Sequence, residues 1–511
     1  MIDATPLLRA YARARIRRLA RQDAAAVQER TLLRLVRRAA ATRFGREHDF
    51  ARLRDAAAFQ AAVPLRRYED FWAAYWQPSF PTLVDCTWPG LVPFFAATSG
   101  TSTGATKFIP VSREMLRANR RAGLDLLAHH LRRRLHSRVL AGRNLLLGGS
   151  TDLVERAPRV RSGDLSGIAA ATLPRWARPF GFPPSAIARL TDWAEKMAAL
   201  ADLAPSANIR SIAGTPSWLL LFFDELARRR NAPGARLADF FPGLELVIHG
   251  GVNFAPYRRR FAEWLAGSRA ELREAYAASE GFIAAADRGD GDGLRLVADR
   301  GIFYEFVPVA ELGNSAPTRH WLGNIETGVD YAPVLTTCAG LWAYIVGDIV
   351  RFVDRNPPRL VVTGRLSYTL SAFGEHLTGE EVEAAVAAAA AAIGAGIRDF
   401  AVGALYPERS GELGRHLYVV EFERQVAASE RARFVAVLDA DLTRRNLDYG
   451  AHRAGGFGML PPRLAVLRPG GFAEWMRRRG RLGSQNKVPR VVTDPDLFAD
   501  LHRFAAENAA D

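Results

Sequence analysis

The sequence predicts an α/β protein with a large N-terminal domain of mixed sheets over residues 1–364 and a small α+β C-terminal domain over residues 365–511. Three observations carry this. Apolar strand-like runs alternate with amphipathic helical stretches through the first two-thirds of the chain, the pattern of an α/β sheet. Several of those runs end in glycine or hydroxyl residues, where open α/β sheets hold their ligands. From about residue 366 the texture changes to a shorter helix–strand repeat, and Gly364-Arg365 marks the boundary and a candidate hinge. At 511 residues the chain is long enough for two cores. Its 49% hydrophobic and 24% charged content is that of a folded protein.

Taken in order, residues 5–42 read as one or two amphipathic helices, with Gly45 a C-terminal cap. Residues 51–62 and 67–75 add short helices. A strand is expected before and after the glycine-rich stretch 98–106, and Ser112 caps a helix over 112–136. That helix carries His129, His130 and His136, which read as surface histidines because no carboxylate lies at ligand spacing nearby. Strands follow at 145–149, 209–214, 244–251 and 271–276. Helices are expected over 184–203 and from Pro216, a residue suited to a first helical turn, to Arg230. Residues 293–309 and 332–353 are β-rich, and 360–365 is a last strand. Beyond it come helix 378–393, strands 398–405 and 416–423, helix 428–446, strand 464–468 and helix 470–478.

The stretch with the clearest chemistry is Thr98-Ser99-Gly100-Thr101-Ser102-Thr103-Gly104-Ala105-Thr106-Lys107. Its glycines allow close backbone approach, and its hydroxyls and N–H groups form a concave donor set for an anion. The spacing is not that of a Walker loop, which needs four residues between its glycine and a Gly-Lys-Ser/Thr. Lysine itself is informative. Of 69 basic residues only Lys107, Lys196 and Lys487 are lysines. A compact ammonium placed where the composition favours arginine points to phosphate.

Gly250-Gly251-Val252, Tyr276-Ala277-Ala278-Ser279-Glu280 and Asp348 add to this site. Glu280 can hold Mg²⁺, which takes a carboxylate together with phosphate oxygens. Tyr276 offers an aromatic face to a base, and Asp348 an acceptor to ribose hydroxyls. Lys487, in the loop Gly483 to Arg490, suits the neutralisation of an α-phosphate.

The net charge of +15 is spread along the chain with no aromatic-interleaved basic block, so neither a nucleic-acid nor a membrane partner is expected. No apolar run is long enough for a membrane span, and the N-terminal stretch lacks an apolar signal core. Two distant cysteines, Cys86 and Cys338, have neither disulfide-framework nor metal spacing and fit a cytoplasmic protein.

In this combination the chain resembles the adenylate-forming enzymes, and among them the acyl-acid amido synthetases of the auxin-responsive Gretchen Hagen family and its bacterial relatives. The resemblance runs over nearly the whole chain. It includes Thr42-Arg43-Phe44-Gly45, Tyr68-Glu69-Asp70, the 98–104 loop with Lys107, and Gly214-Thr215-Pro216-Ser217. Further on come 276–280, Tyr344 with Val346-Gly347-Asp348, Asn446 with Asp448-Tyr449, and Lys487-Val488-Pro489-Arg490. It implies ATP and Mg²⁺ as cofactors and a mobile C-terminal domain. The reaction it implies joins a carboxylic acid, through its acyl-AMP, to an amine, with an amino acid as the expected acceptor.

It also implies roles. Thr98, Ser99, Gly100, Thr101, Ser102, Gly104, Gly250, Gly251, Val252, Tyr276, Ala277, Ser279, Asp348 and Arg365 would contact the nucleotide. Lys487, Glu280 and Lys107 would serve catalysis, with Glu280 on the metal. Leu124, Thr215 and Trp218 would line the acyl pocket, although Trp218, Phe222 and Phe223 at helical spacing also read as core. The chain departs from the family at Ala278, where many members have serine, and at the hinge 364–368, which lacks the usual acidic or lysine pivot. The alternative acceptor is the thiol of CoA. The Asn486-Lys487-Val488-Pro489 context favours the amide former over an acyl-CoA ligase, whose late lysine usually follows glycine.

Overall fold

The alternation of strands and helices folds around one large mixed sheet. The computed structural model describes residues 3–99, 106–251, Phe254, 257–366, Leu370, 377–406, 413–446, 449–450, Arg453, 459–481 and 487–510. The chain divides into two compact units. The first is built from residues up to 98, 106–252 and 260–362, and the second mainly from 363–511.

Thirteen strands of the large sheet lie among the described residues. In one half, Glu271–Ala278, Leu246–His249, Ile209–Gly214, Arg143–Leu146 and Gly181–Phe182 run parallel in that order. Beyond Glu271–Ala278 the sheet turns antiparallel, through Gly281–Ala285, Leu294–Leu296 and Pro358–Arg365. It continues through Asp348–Arg355, Asp330–Thr337 and Ile302–Pro308. The helix Arg113–Arg133 packs on this sheet, and Ser112 caps it by accepting from the Met115 N–H at 3.0 Å. The Ser112 hydroxyl also donates to the Cys338 carbonyl at 2.5 Å, tying the cap to the antiparallel half.

Three local expectations change. Gly45 does not cap the N-terminal helical pair, Thr5–Ala20 and Ala24–Ala39. Thr42 instead starts a new short helix, Arg43–Glu47, and Gly45 lies inside it because a Cβ there would stand 2.1 Å from the Ala39 carbonyl oxygen. The helix expected over 184–203 is broken into Ser185–Ala188 and Trp193–Leu203, the second restarted by the Asp192 cap. His129 and His130 are buried, not on the surface. His130 sits between Glu271, at 2.6 Å from its Nδ1 and remote in sequence, and Ser137, at 3.0 Å from its Nε2, just past the end of the helix.

The second unit follows its expected order closely: Gly379–Ala392, Ile397–Leu405, Arg415–Phe422, Ala428–Arg445, Arg463–Leu467 and Gly471–Arg478. Thr378 and Glu381 form a reciprocal cap on its first helix. Asn446 ends the second long helix and donates to both Glu381 oxygens at 3.0 Å, so this motif residue fastens two helices of the unit. Arg490 is buried, ion-paired with Asp399 and bonded to the Phe400 carbonyl at 3.0 Å, which fixes the chain just after Lys487.

Arginine does much of the buried pairing in the first unit. Arg359 holds Asp287 through two bonds of 2.8 and 2.7 Å, with both side chains almost fully enclosed. Burial pushes the Asp287 carboxyl up and the Arg359 guanidinium overrides it, so its pKa is lowered. A depressed carboxyl contributes stability above its unfolded pKa, near 4, and loses it as pH falls through the folded value. Asp287→Asn is therefore expected to cost about 1–3 kcal/mol at pH 7, because Arg359 loses its enclosed partner and keeps only Asp354, at 2.7 Å from its Nη1. The difference from wild type should shrink below about pH 4, as read by urea unfolding across pH.

Candidate active site

The register of the parallel strands sets the site. Gly214 lies beside His249, and His249 beside Glu274, so the residues that follow them emerge along one sheet edge. Thr215 begins the helix Pro216–Arg229 with extended backbone and does not spend its hydroxyl on the cap. Gly250 must be glycine, because a Cβ there would stand 2.0 Å from the Ala275 carbonyl oxygen, and Gly251 has φ +86°. On the third strand, Glu271–Ala278, Tyr276 is buried, Ala277 is exposed, and Ser279 and Glu280 form the half-buried turn that leads into Gly281–Ala285.

Opposite this turn runs the segment Tyr344 to Asp348. Tyr344–Ile345 pairs with Asp330–Thr337, Gly347 turns the chain at φ +94°, and Asp348 opens the next strand. The two segments are bonded crosswise. The Tyr276 hydroxyl donates to Asp348 Oδ2 at 2.5 Å. The Tyr344 hydroxyl is hydrogen-bonded to Glu280, and burial together with the Glu280 charge and that bond pushes the Tyr344 phenol well up. Each segment thus gives one tyrosine and takes one on its carboxylate four residues later. Asp348 is only 6% exposed, so the phenol is a partner that a buried carboxylate requires.

Lys107, near the start of the strand Thr106–Val111, is ion-paired with Glu69 Oε1 at 2.8 Å and lies 4.9 Å from the centre of the Tyr68 ring. The Tyr68 hydroxyl accepts from the Phe108 N–H at 2.9 Å and pins that strand. Burial raises the Glu69 carboxyl, and the Lys107 ammonium more than offsets it, so its pKa is lowered. Glu69 also acts electrostatically on Tyr344, which joins Lys107, Glu69, Tyr344 and Glu280 into one charged neighbourhood of the first unit.

The structure thus brings together Tyr276, Ser279, Glu280 and Asp348, and places Gly250, Gly251 and Thr215 at the ends of the neighbouring strands. Thr98 and Ser99 end the strand Phe94–Ser99, which pairs in parallel with Val160–Gly163. Arg365 ends the strand Pro358–Arg365. Trp218 is buried and stands edge-on to Trp193, with ring centroids 4.7 Å apart. Leu124 is half-buried against the core that helix Arg113–Arg133 shares with Thr5–Ala20. Gly100, Thr101, Ser102, Gly104 and Val252 lie outside the described residues. Lys487 is half-buried in the second unit, outside any helix or strand.

The aromatic face expected of Tyr276 is largely covered, since the ring belongs to the main core. Sequence reasoning gave Tyr344 no task of its own and left Glu69 without a partner. The signal for the first was the repeated spacing of a tyrosine four residues before an acid. For the second it was the scarcity of lysine, which makes any carboxylate beside Lys107 worth noting.

Among the described residues no group of three or more His, Cys, Asp or Glu could hold a metal by itself. A lone carboxylate at Glu280 fits Mg²⁺, whose other ligands come from phosphate and water. It would not fit a metal that needs a protein cage.

Three models of one family match the chain: the GH3 family N-terminal domain over residues 14–155, the central domain over 295–365 and the C-terminal domain over 380–496. The chain belongs to the GH3 family. Within this family, indole-3-acetic acid-amido synthetase GH3.8 of Oryza sativa subsp. indica is 30% identical over 215 residues, 38% of this chain and 34% of that protein. Jasmonoyl–L-amino acid synthetase GH3.5 of Oryza sativa subsp. japonica is 29% identical over 207 residues, 37% of this chain and 35% of that protein. The matches span about a third of the length of these two curated relatives.

The solved GH3.15 acyl acid amido synthetase shares the GH3 fold over almost the whole length, with TM-score 0.81 at 18% identity, covering 97% of this chain and 95% of that one. The 2-hydroxyisobutyryl-CoA ligase solved with 2-HIB-AMP in its postadenylation state has TM-score 0.63 at 17% identity, covering 94% and 92%. The fold is therefore the α/β architecture with a separate C-terminal unit shared by these proteins.

The crossed tyrosines set an expectation for this GH3 chain. Tyr276→Phe keeps the ring in its core and removes the donor to a buried carboxylate. It should cost about 1–3 kcal/mol, seen as a lower urea midpoint with unchanged slope. Tyr344→Phe should behave in the same way.

Proposed function

We propose that the protein is an ATP-dependent ligase that adenylates a carboxylic acid and transfers the acyl group to an amine, an amino acid being the expected acceptor. The observation that carries this reading is the pair of crossed tyrosine–carboxylate bonds, at the edge where parallel strands end, in a chain of the GH3 family. The names of the relatives point the same way, since they are amido synthetases of acyl acids.

In this reading a carboxylate oxygen of the acid attacks the α-phosphorus of ATP. The bond to pyrophosphate breaks, and pyrophosphate leaves. The amine then attacks the acyl carbonyl, loses its proton, and AMP leaves. The 98–104 loop and Lys107 take the phosphates, with Lys107 exchanging Glu69 for a phosphate oxygen. Asp348 accepts from the ribose hydroxyls. Gly250 and Gly251 allow the backbone to approach the nucleotide, and Ala277, Ser279 and Arg365 flank it. Glu280 would hold Mg²⁺, which when bound neutralises phosphate charge. Lys487 neutralises the α-phosphate during adenylation. Thr215, Trp218 and Leu124 border the acyl pocket. The division into 1–364 and 365–511, with the smaller part mobile, belongs to the same proposal. So does a cytoplasmic setting, in keeping with two free, buried cysteines.

Acid-dependent pyrophosphate release from ATP, over a broad panel of carboxylic acids, tests the first half. Mass spectrometry of products with amino acids or CoA tests the second. An amide product supports the proposal. A thioester alone turns it to the acyl-CoA ligase alternative, and no release with any acid in protein that binds ATP defeats it. Lys487→Ala should slow pyrophosphate release by about 10²-fold, while amide formation from supplied acyl-AMP is largely kept.

A further inference from the structure

Lys107 and Lys487 have places in the proposed site, and Lys196 does not. It lies in the helix Trp193–Leu203, one turn beyond the Asp192 cap, and is only 2% exposed. Its ammonium donates to the carbonyls of Gly148 at 2.9 Å and Gly149 at 3.0 Å. Those carbonyls come just after Leu147, past the end of the strand Arg143–Leu146, at the carboxyl edge where the candidate site lies. A Cβ on Gly214 would meet the Leu147 carbonyl oxygen at 3.2 Å, so this backbone runs beside Gly214 and Thr215. An ammonium has three N–H donors. Two are spent, which leaves one, among the described residues, for a further acceptor.

One turn back, Trp193 is 6% exposed, and its indole N–H is buried with no acceptor among the described residues. Its ring lies 5.8 Å from the Lys196 ammonium and edge-on to Trp218, on the first turn after Thr215. A buried donor left unmade is costly, and native structures rarely keep one without a reason. Two buried donors with unused hydrogens, beside two indole rings and on the ligand-binding edge of the sheet, make a specific demand. They call for a flat group with an acceptor and no hydrogen to give. Burial lowers the Lys196 pKa and the Asp164 carboxylate offsets this only in part, while the indole N–H beside it is neutral and asks for a neutral acceptor.

We propose that Trp193 and Lys196 form the far end of the acyl pocket and select an aromatic carboxylic acid bearing a neutral oxygen acceptor remote from its carboxylate. The proposal rests on the ligase reading above for the near end of the acid.

The test uses benzoic, phenylacetic and 3-phenylpropanoic acids, each carrying either a para-acetyl group, whose carbonyl accepts, or the isosteric para-isopropyl group, which does not. Binding is measured by calorimetry and adenylation by pyrophosphate release. Both are run on the whole chain as wild type and as Trp193→Phe, which keeps an aromatic ring and deletes the N–H. For the acid length that fits, the acetyl member should be favoured by at least about tenfold, and Trp193→Phe should cut that ratio to within about twofold. A wild type without the preference overturns the proposal, and so does a ratio that survives Trp193→Phe. The wild-type ratio decides alone if the variant does not fold. Adenylation indifferent to the acetyl group sinks the subsite and leaves the ligase. Selective binding without pyrophosphate release sinks the ligase and leaves the subsite. Binding of none of the acids overturns the subsite.

Discussion

The site depends on a buried carboxylate being given a hydrogen-bond donor. Asp348 sits at the start of a strand in the main core, where an unpaired charge would be expelled or neutralised. Tyr276 supplies the donor from the strand where the sheet changes from parallel to antiparallel. Tyr344 returns the favour to Glu280. These two bonds join a turn and a strand opening that are far apart in sequence, and they orient both carboxylates before any ligand arrives. Groups held in this way need little reorganisation when charge develops near them.

The arginine bias of the composition has a structural reading as well. Arg15 bridges Asp125 and Asp299, Arg319 grips Glu305, and Arg359 grips Asp287, all with little exposure. A planar fork that makes two parallel bonds suits such enclosed pairs, and an ammonium does not. A few of the arginines, Arg15, Arg273, Arg359 and Arg490, are thus buried framework. The lysines are used differently: Lys107 pairs with Glu69, and Lys196 lies where two carbonyls converge.

Local signals were strong wherever one residue type had one physical use. Pro216 at a helix start and Ser112 as a cap could be read directly, because such signals act over three or four residues. Most of the C-terminal unit was legible for the same reason, but not its strand Val491–Val492 or its helix Pro495–Glu507. Gly45 misled because glycine serves both at helix ends and where backbones crowd, and only the 2.1 Å approach to Ala39 separates the two. The histidines misled because burial at His130 comes from Glu271 and Ser137, which no window around residue 130 contains in full.

The sequence by itself determined the α/β class, the order of the elements, the acids and glycines of the candidate site and the family to which they point. Periodicity, caps and motif chemistry are written in neighbouring residues. Only the tertiary structure decided which tyrosine serves which carboxylate, that Glu69 holds Lys107, and that Trp193 and Lys196 carry buried donors beside Trp218. Those are matters of register and packing between distant segments. A one-residue slip in its strand would turn Tyr276, Tyr344 or Lys107 to the other face.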